Sequence, residues 1–546
     1  MQPRRCRRAR QSKLMQLARS RPLLIALLLG AVAATGFAPL DLWPLSLICV
    51  AGLMALLDVR PSGKPWGPQD AGAPPASRDA GPGGWRAFLI GWSFGVGHFT
   101  VGLNWIAHAF TYQDAMPHWL GYIAVVALSL YLAVFPGLAT LATVAIRARG
   151  SGAPLIPLFA GLWVLSEYAR ASLFTGFAWN PLGVMWLDTG VDQAARLIGT
   201  YGLSAVAIMA GGALLALARR RWHVGAPILG VLIAIAILGH VEPRRAASAT
   251  GIAITVVQPN IDQNEKYGRE FEERNFARLA RLTGPSSPDR PRLVFWPEAA
   301  LEAWLDFEPE WRARVAGLLG PNDLLVTGGV KPFIENRPRG RFLTGATNST
   351  WVVTPDARLV ARYDKAHLVP YGEYLPMRSI LEPIGLSRLV PGDADFIPGP
   401  GPRSLALSGA DGRSALRMGV QICYEIIFSG HVIDAGDRPA FLFNPSNDAW
   451  FGNWGPPQHL AQARMRAIEE AMPVIRSTPT GISAVIDGHG RLTAFIPHRR
   501  AGAINSTLPE ALPATPFARF GNLLPICVAL VLVLTSILLA RRHGRR

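Results

Sequence analysis

Lysine is nearly missing from this chain, with five residues against 49 arginines in 546. Cysteine is scarcer still, at Cys6, Cys49, Cys423 and Cys527. There is no His-Glu-x-x-His and no Cys/His pair at ligand spacing, so neither a metal nor any other cofactor is indicated. Gly328-Gly329 lacks a phosphate-loop lysine at the required distance and reads as a turn. Charge is thin as well: 17% of residues are charged and 50% are hydrophobic. The positive mean hydropathy of +0.23 fits a membrane protein better than a soluble one.

The apolar residues gather into eight segments, at 22–40, 43–59, 87–110, 118–146, 154–170, 199–218, 226–241 and 522–540. Most approach the ~20 residues a helix needs to cross a bilayer core. More spans follow 22–40 and no small-residue cleavage site does, so it is expected to be a retained helix rather than a signal peptide. The expected organisation is a basic cytoplasmic tail (1–21), a seven-helix bundle (22–241), an exported domain (251–510), an eighth helix (522–540) and a second basic tail (541–546). Within the bundle, the Gly/Pro/Ala-rich stretch 60–86 reads as a flexible cytoplasmic loop.

A net charge of +17 suggests nucleic acid until it is mapped. Residues 251–510 hold 28 basic and 28 acidic side chains, so the excess lies wholly in the membrane part, with 26 basic and 9 acidic. Of those 26, 21 fall on one set of alternating loops, including Arg147, Arg149, Arg219-Arg220-Arg221 and both tails. Basic loops stay cytoplasmic, which puts both termini inside and residues 251–510 outside. The charge is a topology signal, and no nucleic-acid partner is expected.

Cys423 is the single cysteine between residues 251 and 510, so that domain can hold no internal disulfide. A lone thiol in a compartment that favours disulfides is either buried and inert or kept as a nucleophile. Its neighbourhood bears on the choice. Short apolar runs at Ile252–Val257, Leu293–Trp296, Leu324–Val330, Ser349–Val353, Leu416–Ile422, Ala440–Asn444 and Ile482–Ile486 read as buried strands. Helical patterns at Glu270–Leu282 and His459–Ala471 alternate with them, so the domain is α/β.

Three chemically distinct groups then fall at strand ends. Glu298 follows Trp296-Pro297 and is either a solvated turn residue or a general base, with burial against Trp296 expected to raise its pKa. Lys365 stands in Tyr363-Asp364-Lys365-Ala366-His367 in a chain that otherwise uses arginine, which suggests a need for a compact ammonium. Cys423 ends the strand Leu416–Ile422. That position is expected to expose its sulfur at the sheet edge, and the Tyr424 N–H could help bind an oxyanion. A Cys-His pair through His367 or His459 is the weaker alternative.

Trp296-Pro297-Glu298, Tyr363 to Glu373, Ile422-Cys423-Tyr424-Glu425 and Ser446 to Gly452, followed by Gln458-His459 and Ala463 to Ala467, resemble the nitrilase (carbon-nitrogen hydrolase) superfamily. More specifically, with this topology they resemble the apolipoprotein N-acyltransferase family over nearly the whole length. The resemblance implies a multi-span helical bundle plus a nitrilase-like αββα sandwich. It also implies Glu298 as base, Lys365 as transition-state stabiliser and Cys423 as acylated nucleophile. Glu373 would position the triad, and Tyr424, Glu425, Asn447 and Trp450 would shape the pocket. Tyr267 stands where some members carry Trp. The implied reaction is ping-pong: Cys423 takes an acyl chain from a phospholipid, with phosphatidylethanolamine as the expected donor, and passes it to the amine of a diacylglyceryl-cysteine. That is the last step of bacterial lipoprotein maturation at the inner membrane. A membrane-tethered amidase and a transporter with an accessory domain are the competing readings. Eight spans exceed what an anchor needs, and repeat symmetry is not evident.

Overall fold

Runs of apolar residues uninterrupted by charge leave a helix as the one local structure that satisfies its own backbone, and such runs dominate the first half of the chain. The structure is a computed structural model that describes residues 20–58, 83–112, 117–149, 153–241, 248–266, 268–338, 340–384, 395–407 and 416–544. The expected amino-terminal tail and the loop at 60–86 lie almost entirely outside them, as does Tyr267, whereas residues 541–544 of the carboxyl-terminal tail continue the last helix. The chain divides into two units: Met1–Asn104 with Tyr122–Glu242 and Asn522–Arg546, and Trp105–Gly121 with Pro243–Gly521.

In the helical unit, Leu120–Arg149, Val191–Ala218, Trp222–Val241 and Leu523–Arg542 are long and apolar enough to cross a membrane, and Pro22–Gly36 and Trp43–Leu57 are shorter apolar helices. Helices Gly84–Gly102 and Leu155–Ser172 cover two more of the expected segments. Packing is by backbone approach: a Cβ on Gly30 would lie 1.8 Å from the Phe94 carbonyl oxygen, and one on Gly97 2.0 Å from that of Leu27. Small residues of this kind let membrane helices touch where no hydrophobic drive separates them from lipid. The segment expected at 87–110 ends early. Asn104 donates from Nδ2 to the Val101 carbonyl (2.7 Å), closing the helix, and Trp105–Gly121 belongs to the second unit.

The second unit is built on two six-stranded sheets. The first takes β1 (Ala249–Gln258), β2 (Arg292–Phe295), β3 (Leu324–Arg337), β4 (Gly340–Val353) and β5 (Leu359–Asp364). The second takes β6 (Ser404–Leu407), β7 (Leu416–Val420), β8 (Phe441–Pro445), β9 (Val474–Ser477), β10 (Ser483–Ile486) and β11 (Leu492–Ile496), and β12 (Gly502–Pro509) returns to pair with β1. Both sheets run through the same series of pairings. From β12 and from β6 it is antiparallel, parallel, parallel, antiparallel, antiparallel.

The sheets face each other. The ring of Phe295 on β2 lies 4.8 Å from that of Phe443 on β8, and Ser477 Oγ on β9 donates to the Val257 carbonyl on β1 (2.8 Å). Strands β8, β9 and β10 are buried at every residue, as strands covered on both faces must be. Helix Arg269–Thr283 supplies Leu279 and Phe276 to the core outside β1 and β2, and helix Gly455–Glu470 is buried almost throughout. The result is the αββα sandwich that the sequence implies.

Candidate active site

Chemistry-bearing side chains collect beyond the carboxyl ends of parallel strands, where loops can converge without breaking the ladder. Lys266 follows β1, Glu298 follows β2, Cys423 follows β7 and Asn447 follows β8; Lys365 immediately follows the antiparallel β5. All five are buried.

Glu298 is held by one oxygen. Its Oε1 accepts from Asn348 Nδ2 (2.7 Å) and lies 3.9 Å from Lys365 Nζ. Its Oε2 is buried and has no hydrogen-bond partner among the described residues. A buried polar atom left in that state calls for an explanation, and proton transfer is one. The expected contact with Trp296 is not what surrounds it. The chain turns out of the strand at Pro297, and the Trp296 indole N–H donates instead to Thr283 Oγ1 (2.9 Å) in the outer core.

Lys365 Nζ donates to Glu373 Oε1 (2.9 Å), and the same oxygen accepts from Asn348 Nδ2 (3.0 Å). Burial opposes the ammonium charge, but Glu373 and Glu298 outweigh it and hold the pKa above the ordinary lysine value. Lys365 therefore stays charged. Glu373 is itself fixed through Oε2, which accepts from the Val369 N–H (2.8 Å).

Cys423 has φ +51°, in the left-handed region that a side chain with a Cβ adopts at a cost. It opens the tight turn Cys423–Ile427, and its sulfur is buried rather than exposed at the sheet edge. The loop after β8 accounts for this, because the backbone N–H of Asn447 faces the thiol. Burial and the neighbouring Glu298 carboxylate push its pKa well above the usual thiol value, with Lys365 pulling the other way. At rest the group is a thiol, and it needs a base.

Glu425 joins the cysteine turn to the lysine loop. Its Oε1 accepts from Tyr363 OH (2.9 Å), Ala366 N (2.7 Å) and His367 N (3.1 Å), while Oε2 accepts from Ile422 N (2.7 Å). Burial lifts it to about 7 against the pull of those donors. Tyr424 packs edge-on against Phe428, with ring centroids 5.2 Å apart. The Asn447 side-chain amide sits between Gln263 Oε1 (2.8 Å), Trp450 Nε1 (3.1 Å) and Lys266 Nζ (3.3 Å). The Trp450 ring meets that of Tyr112 edge-on at 5.5 Å. Glu298, Lys365, Cys423, Glu373, Tyr424, Glu425, Asn447 and Trp450 thus belong to one neighbourhood.

Two members were not picked out from the sequence. Asn348 bridges Glu298 and Glu373; its signal was the small polar run Thr347-Asn348-Ser349-Thr350 inside a buried strand. Lys266 donates to the Glu298 carbonyl oxygen (3.2 Å), and burial lowers its pKa to about 8 despite the attraction of Glu298 and Cys423. The arginine bias that singled out Lys365 applies equally to it.

Residues 29–214 match the family described as Apolipoprotein N-acyltransferase N-terminal domain, and residues 253–512 match Carbon-nitrogen hydrolase. An Apolipoprotein N-acyltransferase of Rhodopseudomonas palustris is 35% identical over 535 residues, covering 95% of each chain. One from Bradyrhizobium diazoefficiens is 35% identical over 536 residues, covering 95% of this chain and 94% of its own. One from Caulobacter vibrioides is 33% identical over 519, covering 93% and 92%. Among solved structures, Nit3 of Saccharomyces cerevisiae, a member of the nitrilase superfamily, aligns over 47% of this chain and 90% of its own, at 20% identity and a TM-score of 0.32.

Proposed function

Because the chain belongs to the apolipoprotein N-acyltransferase family, we propose that it acylates diacylglyceryl-cysteine amines by a two-step transfer through a thioester on Cys423. It is a membrane-embedded acyltransferase of lipoprotein maturation. The observation that carries the thioester mechanism is the buried Oε2 of Glu298, without a hydrogen-bond partner among the described residues, beside a buried thiol whose pKa is raised.

In the first step Glu298 Oε2 takes the thiol proton and the sulfur attacks the acyl ester of a phospholipid, phosphatidylethanolamine in our reading. Negative charge develops on the carbonyl oxygen, where the Lys365 ammonium and the Tyr424 backbone N–H stabilise it. Collapse expels the glyceryl oxygen, which takes the proton from Glu298 and leaves as lysophospholipid. In the second step the α-amine of the diacylglyceryl-cysteine attacks the thioester. Glu298 takes the amine proton and passes it to the departing thiolate, which restores the resting site. Holding two bilayer-anchored substrates at one depth supplies proximity that solution chemistry lacks.

The test uses purified full-length protein, labelled phosphatidylethanolamine and a diacylated lipopeptide. One fatty-acyl adduct on Cys423, formed with lysophospholipid before any lipopeptide is added and discharged by the lipopeptide, is the expected result. No adduct sinks the reading. An adduct discharged as fast by water as by lipopeptide makes the protein a hydrolase.

Lys266 gives this scheme a pH signature. A lysine titrating near 8 loses its charge as pH rises through that value, and with it the charged bond to the Glu298 carbonyl. Thioester formation should therefore decline above pH ~8. In Lys266→Met that decline should vanish and the plateau should fall about tenfold, the scale of one charge-assisted hydrogen bond. An unchanged alkaline limb in the variant removes Lys266 from the site.

The topology follows from the 21-to-5 division of basic residues between the two sets of loops. We place both termini in the cytoplasm and residues 251–510 on the periplasmic face of the inner membrane. A periplasm-active reporter inserted in the sheet unit should be active, and fusions after Arg221 or Arg542 silent. The reverse pattern removes access to exported lipoproteins, and a cytoplasmic amidase becomes the better account.

A further inference from the structure

Against the backbone of the nucleophile lies a fully buried cluster of Asp448, His459 and Arg476. Arg476 Nη2 reaches both oxygens of Asp448 (2.8 and 2.7 Å) and His459 Nδ1 (3.0 Å), and His459 Nδ1 lies 2.9 Å from Asp448 Oδ1. Through Nη1, Arg476 also binds Asn444 and Ser446. A Cβ on Gly481 would lie 2.3 Å from Asp448 Oδ2, so glycine is what admits the carboxylate.

Burial works to raise the Asp448 pKa, but Arg476 and His459 outweigh it and bring it down to about 2. Burial and the arginine both lower that of His459. The cluster is therefore an arginine–carboxylate pair holding a neutral imidazole. A carbonyl oxygen facing Nε2 assigns the ring proton to that nitrogen, which leaves Nδ1 to accept from Arg476.

That Nε2 lies 3.0 Å from the carbonyl oxygen of Cys423. A trans peptide points its C=O and N–H in opposite directions. Whatever fixes the Cys423 carbonyl therefore also fixes the direction of the Tyr424 N–H on the opposite edge of the same plane. The left-handed φ of Cys423 is unfavourable for a residue with a Cβ, so the plane needs a restraint to persist.

We propose that Asp448, Arg476 and His459 are positioning residues that lock the Cys423–Tyr424 peptide plane, aiming the Tyr424 N–H at the oxyanion of the acyl-transfer transition state. The proposal rests on Cys423 being the acylated nucleophile. The brace acts on the oxyanion donor, not on the sulfur.

The experiment compares two reactions of Cys423 in the full-length protein, with His459→Leu and His459→Gln. Alkylation by iodoacetamide displaces iodide and develops no oxyanion, whereas thioester formation from phosphatidylethanolamine does. In His459→Leu, thioester formation should fall about 100-fold, the usual loss for a misplaced oxyanion donor. Alkylation should stay within about threefold, which also shows that unfolding has not exposed the thiol. His459→Gln, whose amide can still donate to the carbonyl, should recover thioester formation to within about tenfold of the parent.

The brace is overturned if His459→Leu forms the thioester at the parental rate, if alkylation falls in step with it, or if glutamine rescues no better than leucine. A parental protein that never carries an acyl group on Cys423 overturns the nucleophile reading and the brace with it. A normal parental adduct with any of the other failures overturns the brace alone.

Discussion

Replacing Cys423 with alanine is expected to lower lipopeptide N-acylation by about 10⁴-fold or more, the scale on which losing a nucleophile acts. The protein should still fold, because alanine keeps the Cβ that already occupies the left-handed position and removes one buried sulfur. Thermal unfolding of the extracted variant should stay close to that of the parent, and no acyl adduct should form. Acylation within tenfold of the parental rate would falsify the nucleophile assignment outright. Cys423→Ser should be nearly as inactive. Glu298 would have to deprotonate a hydroxyl far less acidic than a thiol, and burial already works against any anion at this position.

The second large effect concerns the two groups that flank the sulfur. Glu298→Gln keeps an oxygen for the 2.7 Å bond from Asn348 but cannot take a proton, so thioester formation should drop by about 10³-fold. Lys365→Arg keeps the charge and should fail almost as badly. The ammonium is 1% exposed and bound at 2.9 Å to Glu373, and a planar fork needs more room and other angles. Single-turnover acylation by labelled phospholipid reads both. An arginine variant near parental speed would reduce Lys365 to a diffuse electrostatic influence.

Much of this site was legible because its parts stand at boundaries. Glu298 and Cys423 follow strands whose ends can be read from apolar runs meeting turn residues, and Lys365 stands out as a lysine in an arginine-rich chain. The same runs disclosed seven of the twelve strands. They missed β5, β6, β9, β11 and β12, three of them for identifiable reasons. Leu359–Asp364 and Leu492–Ile496 alternate between buried and more exposed residues over too few positions to stand out. Val474–Ser477 carries Arg476, which breaks its apolar run. That arginine is buried because Asp448 meets it from another loop, a pairing that no local pattern encodes. Lys266 escaped for the same reason, since its importance depends on a carbonyl 32 residues further along the chain. The end of the segment expected at 87–110 was misjudged because hydrophobicity continues through Trp105 and Ile106 after Asn104 has closed the helix.

The return of β12 to β1 sets an order of events during synthesis. Val256 pairs with Ile504, so the first sheet cannot be completed until a strand made roughly 250 residues later is available. A chain growing from its amino end completes the segment bearing Cys423 well before that, while one edge of β1 is still an open ladder. Long-range pairings of this kind form slowly, and an open edge invites wrong partners meanwhile. The sheet that carries Glu298 and Lys365 is thus finished only when the last strand arrives. A ribosome that stalls before residue 502 leaves Cys423 on a sheet that is already complete, β6 to β11, facing one that carries Glu298 and Lys365 and whose β1 edge is still open.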